Sequence, residues 1–352
     1  MTLGILKILL PSVLAFIIGI SLTPILTKYF YTYRLWKRSS RKDEVSNPNM
    51  SLAFQAIHNT DSELHTPRVG GVIIWMSVLL VSLIFLAIYY LYPTTLSAKL
   101  NFLSRNQTVL PLFSLIVAAI IGLIDDLMQI FGKGLLIVDG IPRTARVIVV
   151  TIIGIVGALW FYNKLDVSSI AVPFGDQIEL GIFFIPFFVI VTLATFSSGV
   201  IDGIDGLAGG VMTTIFGAYT IIAFIQNQND IAALCAVITG ALLAFLWFNI
   251  PPARFYMGET GMLPLTITLT LIAFLTNTVL ILPIIAFPLV ATALSSAIQI
   301  FSKKHFGKKI FKIAPLHHHF QAIGWPSPKV TMRYWIISLM CAIIGVIIVI
   351  SS

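Results

Sequence analysis

Charge is what this sequence has least of. Only 10% of its 352 residues are Asp, Glu, Lys or Arg, whereas 58% are hydrophobic and the mean hydropathy is +0.98. A soluble domain of this size cannot hide so much apolar surface, so that class is excluded. An all-α polytopic membrane protein is expected. Cysteine is nearly missing as well. Cys235 and Cys341 both fall inside apolar runs and are read as small core residues, not as a disulfide or a metal pair. The first apolar run, at about 3–26, lacks the small-residue cleavage site of a removed signal peptide and is read as a retained helix. No internal repeat is visible and no connection is long enough for a soluble domain, so the chain 1–352 is read as a single integral membrane domain. A net charge of +8 would suit nucleic acid, but in a membrane protein the distribution of charge matters more than its sum, and no nucleic-acid partner is expected.

What is present in quantity is long apolar runs. They recur at about 3–26, 69–92, 109–124, 147–162, 180–201, 207–225, 231–248 and 332–351. The stretch 262–301 is too long for one span, and Asn277 with Pro283 predicts a tight hairpin inside it. The count is about ten transmembrane helices. Loops at about 27–68, 125–146, 202–206, 249–261 and 302–331, the last counted on to Arg333, then share one side and carry 18 of the 22 Lys and Arg residues. The positive-inside bias makes that side cytoplasmic and puts both termini outside. All six histidines lie on that side, and so do Asp125, Asp126, Asp202, Asp205 and Glu259. The expected location is the inner (cytoplasmic) membrane of the cell, with the active site facing the cytoplasm.

Four stretches on that face carry groups suited to chemistry. Asp125-Asp126 follows the uncharged run 109–124; the pair marks a helix leaving the bilayer or forms part of a divalent metal site, since hard cations take carboxylate oxygens. Adjacent positions on a helix point different ways, so the two acids have different jobs. Asp202-Gly203-Ile204-Asp205-Gly206 is either a turn with a helix cap or a glycine-rich loop whose amides approach a ligand. In the stretch 249–261, Glu259 stands between two glycines as a cap or a third carboxylate, and Tyr256 is an interfacial anchor or a stacking platform for a base. Finally, His317-His318-His319 can hold a pyrophosphate, protonate a leaving oxygen or bind metal. Lysines 303, 304, 308, 309 and 312 nearby suit anionic lipid headgroups. Carboxylates, cationic groups and glycine turns at a membrane surface point to phosphoryl transfer between a lipid and a soluble substrate.

These stretches resemble the polyprenyl-phosphate N-acetylhexosamine-1-phosphate transferases. The run from Pro315 through Gly324-Trp325-Pro326 to Arg333 is similar to the phospho-N-acetylmuramoyl-pentapeptide transferases within that superfamily. The resemblance covers roughly residues 50–345. It implies transfer of a phospho-sugar from a UDP-linked amino-sugar donor to a polyprenyl phosphate, and a Mg²⁺ cofactor, with Mn²⁺ an option; it is compatible with a homodimer. It also implies roles. Asp125 matches a base or lipid-phosphate positioner, and Asp126 supports metal or substrate. Glu259 matches a metal-binding Asp, so the implied metal set is Asp125, Asp126 and Glu259. Asp205 and the preceding Gly203-Ile204 backbone match the uridine pocket, with Tyr256 at the position of its stacking Phe, and Asp202 and Asn249 are carried as further substrate-binding candidates. His317, His318 and His319 fall near the pyrophosphate. Three departures stand out: Glu259 for Asp, Gly199 for Asn, and His65-Thr66-Pro67-Arg68-Val69-Gly70-Gly71, which looks more like the branch that transfers N-acetylglucosamine-1-phosphate. Thr66 and Arg68 are carried as substrate-binding candidates on that ground. Two other classes stay open: an ion-coupled transporter, weakened because the acids gather at one face without a repeat, and a lipid-binding relative without activity.

Overall fold

The computed structural model describes residues 2–36, 65–104, 107–131 and 141–352. His58, Glu63 and most of the 27–68 loop lie outside the described residues. The described chain is almost entirely helical. In order it forms α1 (Thr2–Thr32), α2 (Gly71–Leu91), α3 (Thr95–Leu100), α4 (Val109–Phe131) and α5 (Arg143–Lys164). A two-residue antiparallel ladder follows, β1 (Ser169–Ile170) with β2 (Ile178–Glu179). Then come α6 (Phe184–Ser197), flanked by short 3₁₀ turns, α7 (Leu207–Ile225), α8 (Asn229–Asn249) and α9 (Glu259–Leu275). The chain ends with α10 (Leu282–Ile285), α11 (Phe287–Phe306), α12 (Leu316–Ala322) and α13 (Ser327–Ser351).

Among the described residues, eight helices are long and apolar enough to cross a membrane, and α9 is a shorter apolar helix of 17 residues. The protein is an all-α polytopic membrane protein. The stretch 262–301 divides as its Asn and Pro predict: α9 stops at Leu275, Asn277 turns the chain with φ 53°, and Pro283 opens α10. In hydrocarbon every polar group must find a partner within the protein. Many buried hydroxyls find one in their own helix, as Ser77 donates to the Ile73 carbonyl (2.7 Å) and Thr292 to the Pro288 carbonyl (2.7 Å).

The layering follows hydrophobic faces. Helix α9 is buried all round from Thr260 to Phe274, and α8 is buried along most of its length, so both are interior. Helix α1 packs on α8, α5 on α6 and α13 on α7, and these three turn apolar faces outward, with Leu9, Ile148 and Ile336 exposed. Small residues let the layers close: Gly19 of α1 sits against Ala244 of α8, and Ser12 donates to the Ala236 carbonyl at 2.7 Å. Two sequence expectations are corrected. The run 109–124 does not end a helix, because α4 continues to Phe131 with Asp125 and Asp126 inside it. Cys235 is buried as expected, but Cys341 is only half-buried on α13.

Candidate active site at the start of α9

Asp125 and Asp126 are successive residues of one helix, so their side chains diverge. Asp125 accepts from the Gln129 amide one turn on (3.0 Å) and from the Ile141 N–H (2.6 Å). Its other neighbour is the Arg146 guanidinium, 3.6 Å away. Asp126 turns instead to the start of α9. It accepts from the Glu259 N–H (3.2 Å), the Thr260 N–H (2.8 Å) and the Thr260 hydroxyl (2.6 Å). The first amides of a helix have no partner within it, and a carboxylate there is favoured by the aligned dipoles. Asp126 therefore caps α9 from a neighbouring helix.

The preceding residue extends that arrangement. The Gly258 N–H donates to Asp202 at 3.1 Å, so two carboxylates from different elements hold three successive amides, 258–260. Gly258 has φ +67°, and a Cβ there would run into the Arg68 carbonyl oxygen and the Asp126 carboxylate; only glycine fits. Backbone hydrogen bonds fasten the other side of this strand-like stretch: Tyr256 N–H to Pro67 (2.8 Å), Gly70 N–H to Tyr256 (2.9 Å) and Gly71 N–H to Met257 (3.0 Å). Thr66 is buried beside them, and Tyr256 is half-buried.

Glu259 does not cap the helix it opens. Its carboxylate pairs with Arg146 at 2.8 Å, so Arg146 stands between Glu259 and Asp125. A small cavity borders this trio, walled by Ile141, Phe196 and Leu263. Among the described residues, no three His, Cys, Asp or Glu side chains are grouped as a set able to hold a metal ion.

The Asp-Gly turn is tied down on both sides. Asn249 accepts from the Gly206 N–H (3.0 Å) and donates to the Phe255 carbonyl (2.8 Å), which engages both ends of its amide. Asp205 accepts from the Ala253 N–H (3.0 Å), and its carbonyl takes the Thr331 hydroxyl (3.0 Å). The Trp335 indole N–H reaches the Gly206 carbonyl (3.0 Å). Between these anchors Gly203 is exposed and Ile204 half-buried. Burial pushes the Asp202 carboxyl up from its ordinary value to about 6; the Gly258 N–H and the Arg68 charge pull it down, and Asp205 adds a smaller push upward.

The histidine loop meets this turn. His317 and His318 are buried, with ring centroids 4.2 Å apart, while His319 is partly exposed and accepts from the Lys312 N–H at 3.2 Å. A Cβ on Gly203 would come within 2.6 Å of His317 Nε2 and 3.1 Å of His318 Nε2. The structure thus brings Asp125, Asp126, Asp202, Glu259, Gly203, His317 and His318 into one connected cluster. His319 stands at its edge. The sequence reading passed over Arg146, counted only as one basic loop residue, and Thr260, an ordinary hydroxyl between Glu259 and Gly261.

Comparison with known proteins gives the family. Residues 108–277 match the glycosyl transferase family 4. The chain is 32% identical over 341 residues to a phospho-N-acetylmuramoyl-pentapeptide-transferase of Caldanaerobacter subterraneus, covering 96% of this chain and 98% of the relative. A relative of that name from Anoxybacillus flavithermus is 30% identical over 97% of both chains, and one from Orientia tsutsugamushi is 30% identical over 94% of this chain and 90% of its own. This chain belongs to the phospho-N-acetylmuramoyl-pentapeptide-transferase family. The family 4 match takes in Asp125 through Glu259 but stops short of the histidine loop; the whole-length relatives extend over it. Within this transferase family, Arg146 and the Asp126 cap are the features that the structure adds to the sequence reading.

Proposed function

We propose that this chain transfers the phospho-N-acetylmuramoyl-pentapeptide unit of its UDP-linked donor to undecaprenyl phosphate, releasing UMP and leaving lipid I for peptidoglycan biosynthesis. The observation that carries this reading is the chain of contacts from Asp126 through the start of α9 and Asp202 to Gly203 and the histidines. It joins acids, glycine backbone and imidazoles at one end of the bundle, in a protein similar to these transferases along 96% of its length.

An oxygen of the lipid phosphate forms a bond to the sugar-bearing phosphorus as the bond from that phosphorus to the UMP oxygen breaks, and the electron pair leaves with UMP. A phosphate monoester is already largely ionised near neutral pH, so the protein's task is position and charge rather than proton removal. Asp126 and Asp202 keep the 258–260 backbone in place. His317 and His318 stand beside Gly203, where a diphosphate has imidazole nitrogens within reach. Arg146 adds a positive group beside the acids.

The donor chemistry fits Mg²⁺. Two carboxylates, Asp125 and Glu259, flank Arg146, a cationic side chain whose place a divalent cation would share or take, and Mg²⁺ asks few ligands of a protein because it keeps water and phosphate oxygens. Asp125 and Glu259 would hold it, with Asp126 fixing the Glu259 backbone; Mn²⁺ suits the same oxygens. When bound, the ion supplies charge neutralisation to the phosphates. The loop charges further support ten spans, with α9 and α11 as the two beyond the eight that are both long and apolar enough, both termini outside, and the site at the cytoplasmic face.

The test is product formation by purified protein with undecaprenyl phosphate, Mg²⁺ and the UDP-linked muramoyl pentapeptide. Mass spectrometry should find the lipid-linked pyrophosphate product, and Glu259→Ala should abolish it. A folded wild-type protein that makes no product while a related transferase does so in the same assay would refute the reading.

A further inference from the structure

We propose that Gln321 is a positioning residue: it holds His318 with its Nδ1 protonated and so presents His318 Nε2 to the turn at Gly203 and Ile204. The inference rests on the transferase reading above and assigns a role to a residue outside it.

His318 lies on α12, a helix of only seven residues whose own hydrogen bonds do not orient a ring. The orientation comes from Gln321, one turn on. His318 Nδ1 is 2.7 Å from the Gln321 side-chain Oε1, and the Gln321 amide N–H₂ donates to the Ser327 hydroxyl at 2.7 Å. An amide oxygen only accepts, so the Nδ1 that faces it carries the proton. Ser327 is in reach because the chain reverses between the two residues. Gly324, with φ +99°, donates to the Gln321 carbonyl (2.9 Å), and Trp325 N–H to the Phe320 carbonyl (3.0 Å). Trp325 then stacks on Phe320 with centroids 4.8 Å apart, and the Arg333 guanidinium covers it at 4.1 Å from the ring centre. The turn that brings Ser327 to Gln321 is thus held by backbone and ring contacts together.

On the far side of the ring, Nε2 stands 3.1 Å from where a Cβ on Gly203 would be. With Nδ1–H committed to Gln321, proton gain and loss fall on Nε2 alone, and the charged ring donates from there to a phosphate oxygen. The ionisable neighbours are His317 on the same helix, Asp202 and Asp205 flanking the turn, and Lys329 and Arg333 on α13 beside Trp325.

The experiment compares full-length wild type, Gln321→Met and Gln321→Glu for UMP release across pH, with thermal midpoints in detergent. Gln321→Met keeps the volume and loses the acceptor, so kcat should fall about tenfold with KM for the UDP donor changed less than about twofold. Gln321→Glu keeps the acceptor and adds charge that favours the imidazolium, so activity should be retained and the alkaline limb of the profile should move up by about one pH unit. Wild-type kcat in a folded Gln321→Met protein, or a Gln321→Glu profile superimposed on wild type, overturns the inference; if Gln321→Met does not fold, the Gln321→Glu profile alone decides. An active wild type with indifferent variants refutes this inference only, whereas an inactive wild type refutes the transferase reading.

Discussion

Replacing Asp126 by Ala separates a structural acid from a reacting one. The carboxylate takes three hydrogen bonds from the start of α9, at 3.2, 2.8 and 2.6 Å, and it is buried. Hydrogen bonds to a charged acceptor are worth about 1.5–3 kcal/mol each, and losing a helix cap typically costs about 1 kcal/mol. These values overlap, because the same amides are counted in both and a side-chain hydroxyl can turn to a new partner. Three such bonds alone would give about 4.5–9 kcal/mol; with the overlap removed and the cost of burying the carboxylate set against them, a net loss of about 3–5 kcal/mol is expected, large against the whole stability of an ordinary domain. The assay is thermal denaturation of detergent-purified protein alongside UMP release. Asp126→Ala should lower the midpoint by many degrees and lose activity because Glu259 is released with the helix start. Asp126→Asn, which keeps one acceptor oxygen, should fall between. A variant with unchanged midpoint and lost turnover would refute the capping role and make Asp126 a reacting group.

Further outcomes follow from the same contacts. Asp125→Asn should cut UMP release by orders of magnitude with little change in midpoint, since it keeps an acceptor for the Ile141 N–H; near-normal turnover would remove Asp125 from the mechanism. Chelation should stop turnover and added Mg²⁺ restore it, and metal-independent release would sink the carboxylate-site reading. Asp202 has a folded pKa near 6, above its ordinary value of 3.8, so its contribution to stability is fully present below about pH 4 and is lost as pH rises through 6. The wild-type midpoint should therefore carry a downward slope between pH 4 and 6 that Asp202→Asn makes shallower; identical slopes in the two proteins would contradict it.

Much of the fold was legible because membrane spans write themselves as contiguous apolar runs, and the hairpin at Asn277 is a local backbone event. The site motifs were legible as residue types on one face. Their partners were not. Asp126 and Thr260 are 134 residues apart, and nothing local to either names the other. The end of α4 was misjudged because hydropathy stops at Ile124 whereas the helix, stabilised by the Asp125–Gln129 pair, does not. Arg146 looked like loop charge until α5 carried it between two carboxylates. Asn249 enters as a substrate-binding candidate with the family resemblance; the structure engages both ends of its amide with backbone, a tie that sequence spacing does not reveal.

The most direct test of the central claim is UMP release by the purified protein with undecaprenyl phosphate and Mg²⁺, offered either UDP-N-acetylmuramoyl-pentapeptide or UDP-N-acetylglucosamine. Turnover of the muramoyl donor alone is the predicted result. Turnover of UDP-N-acetylglucosamine in its place would contradict the account and make the Pro67-Arg68-Val69-Gly70-Gly71 stretch the better guide to the substrate.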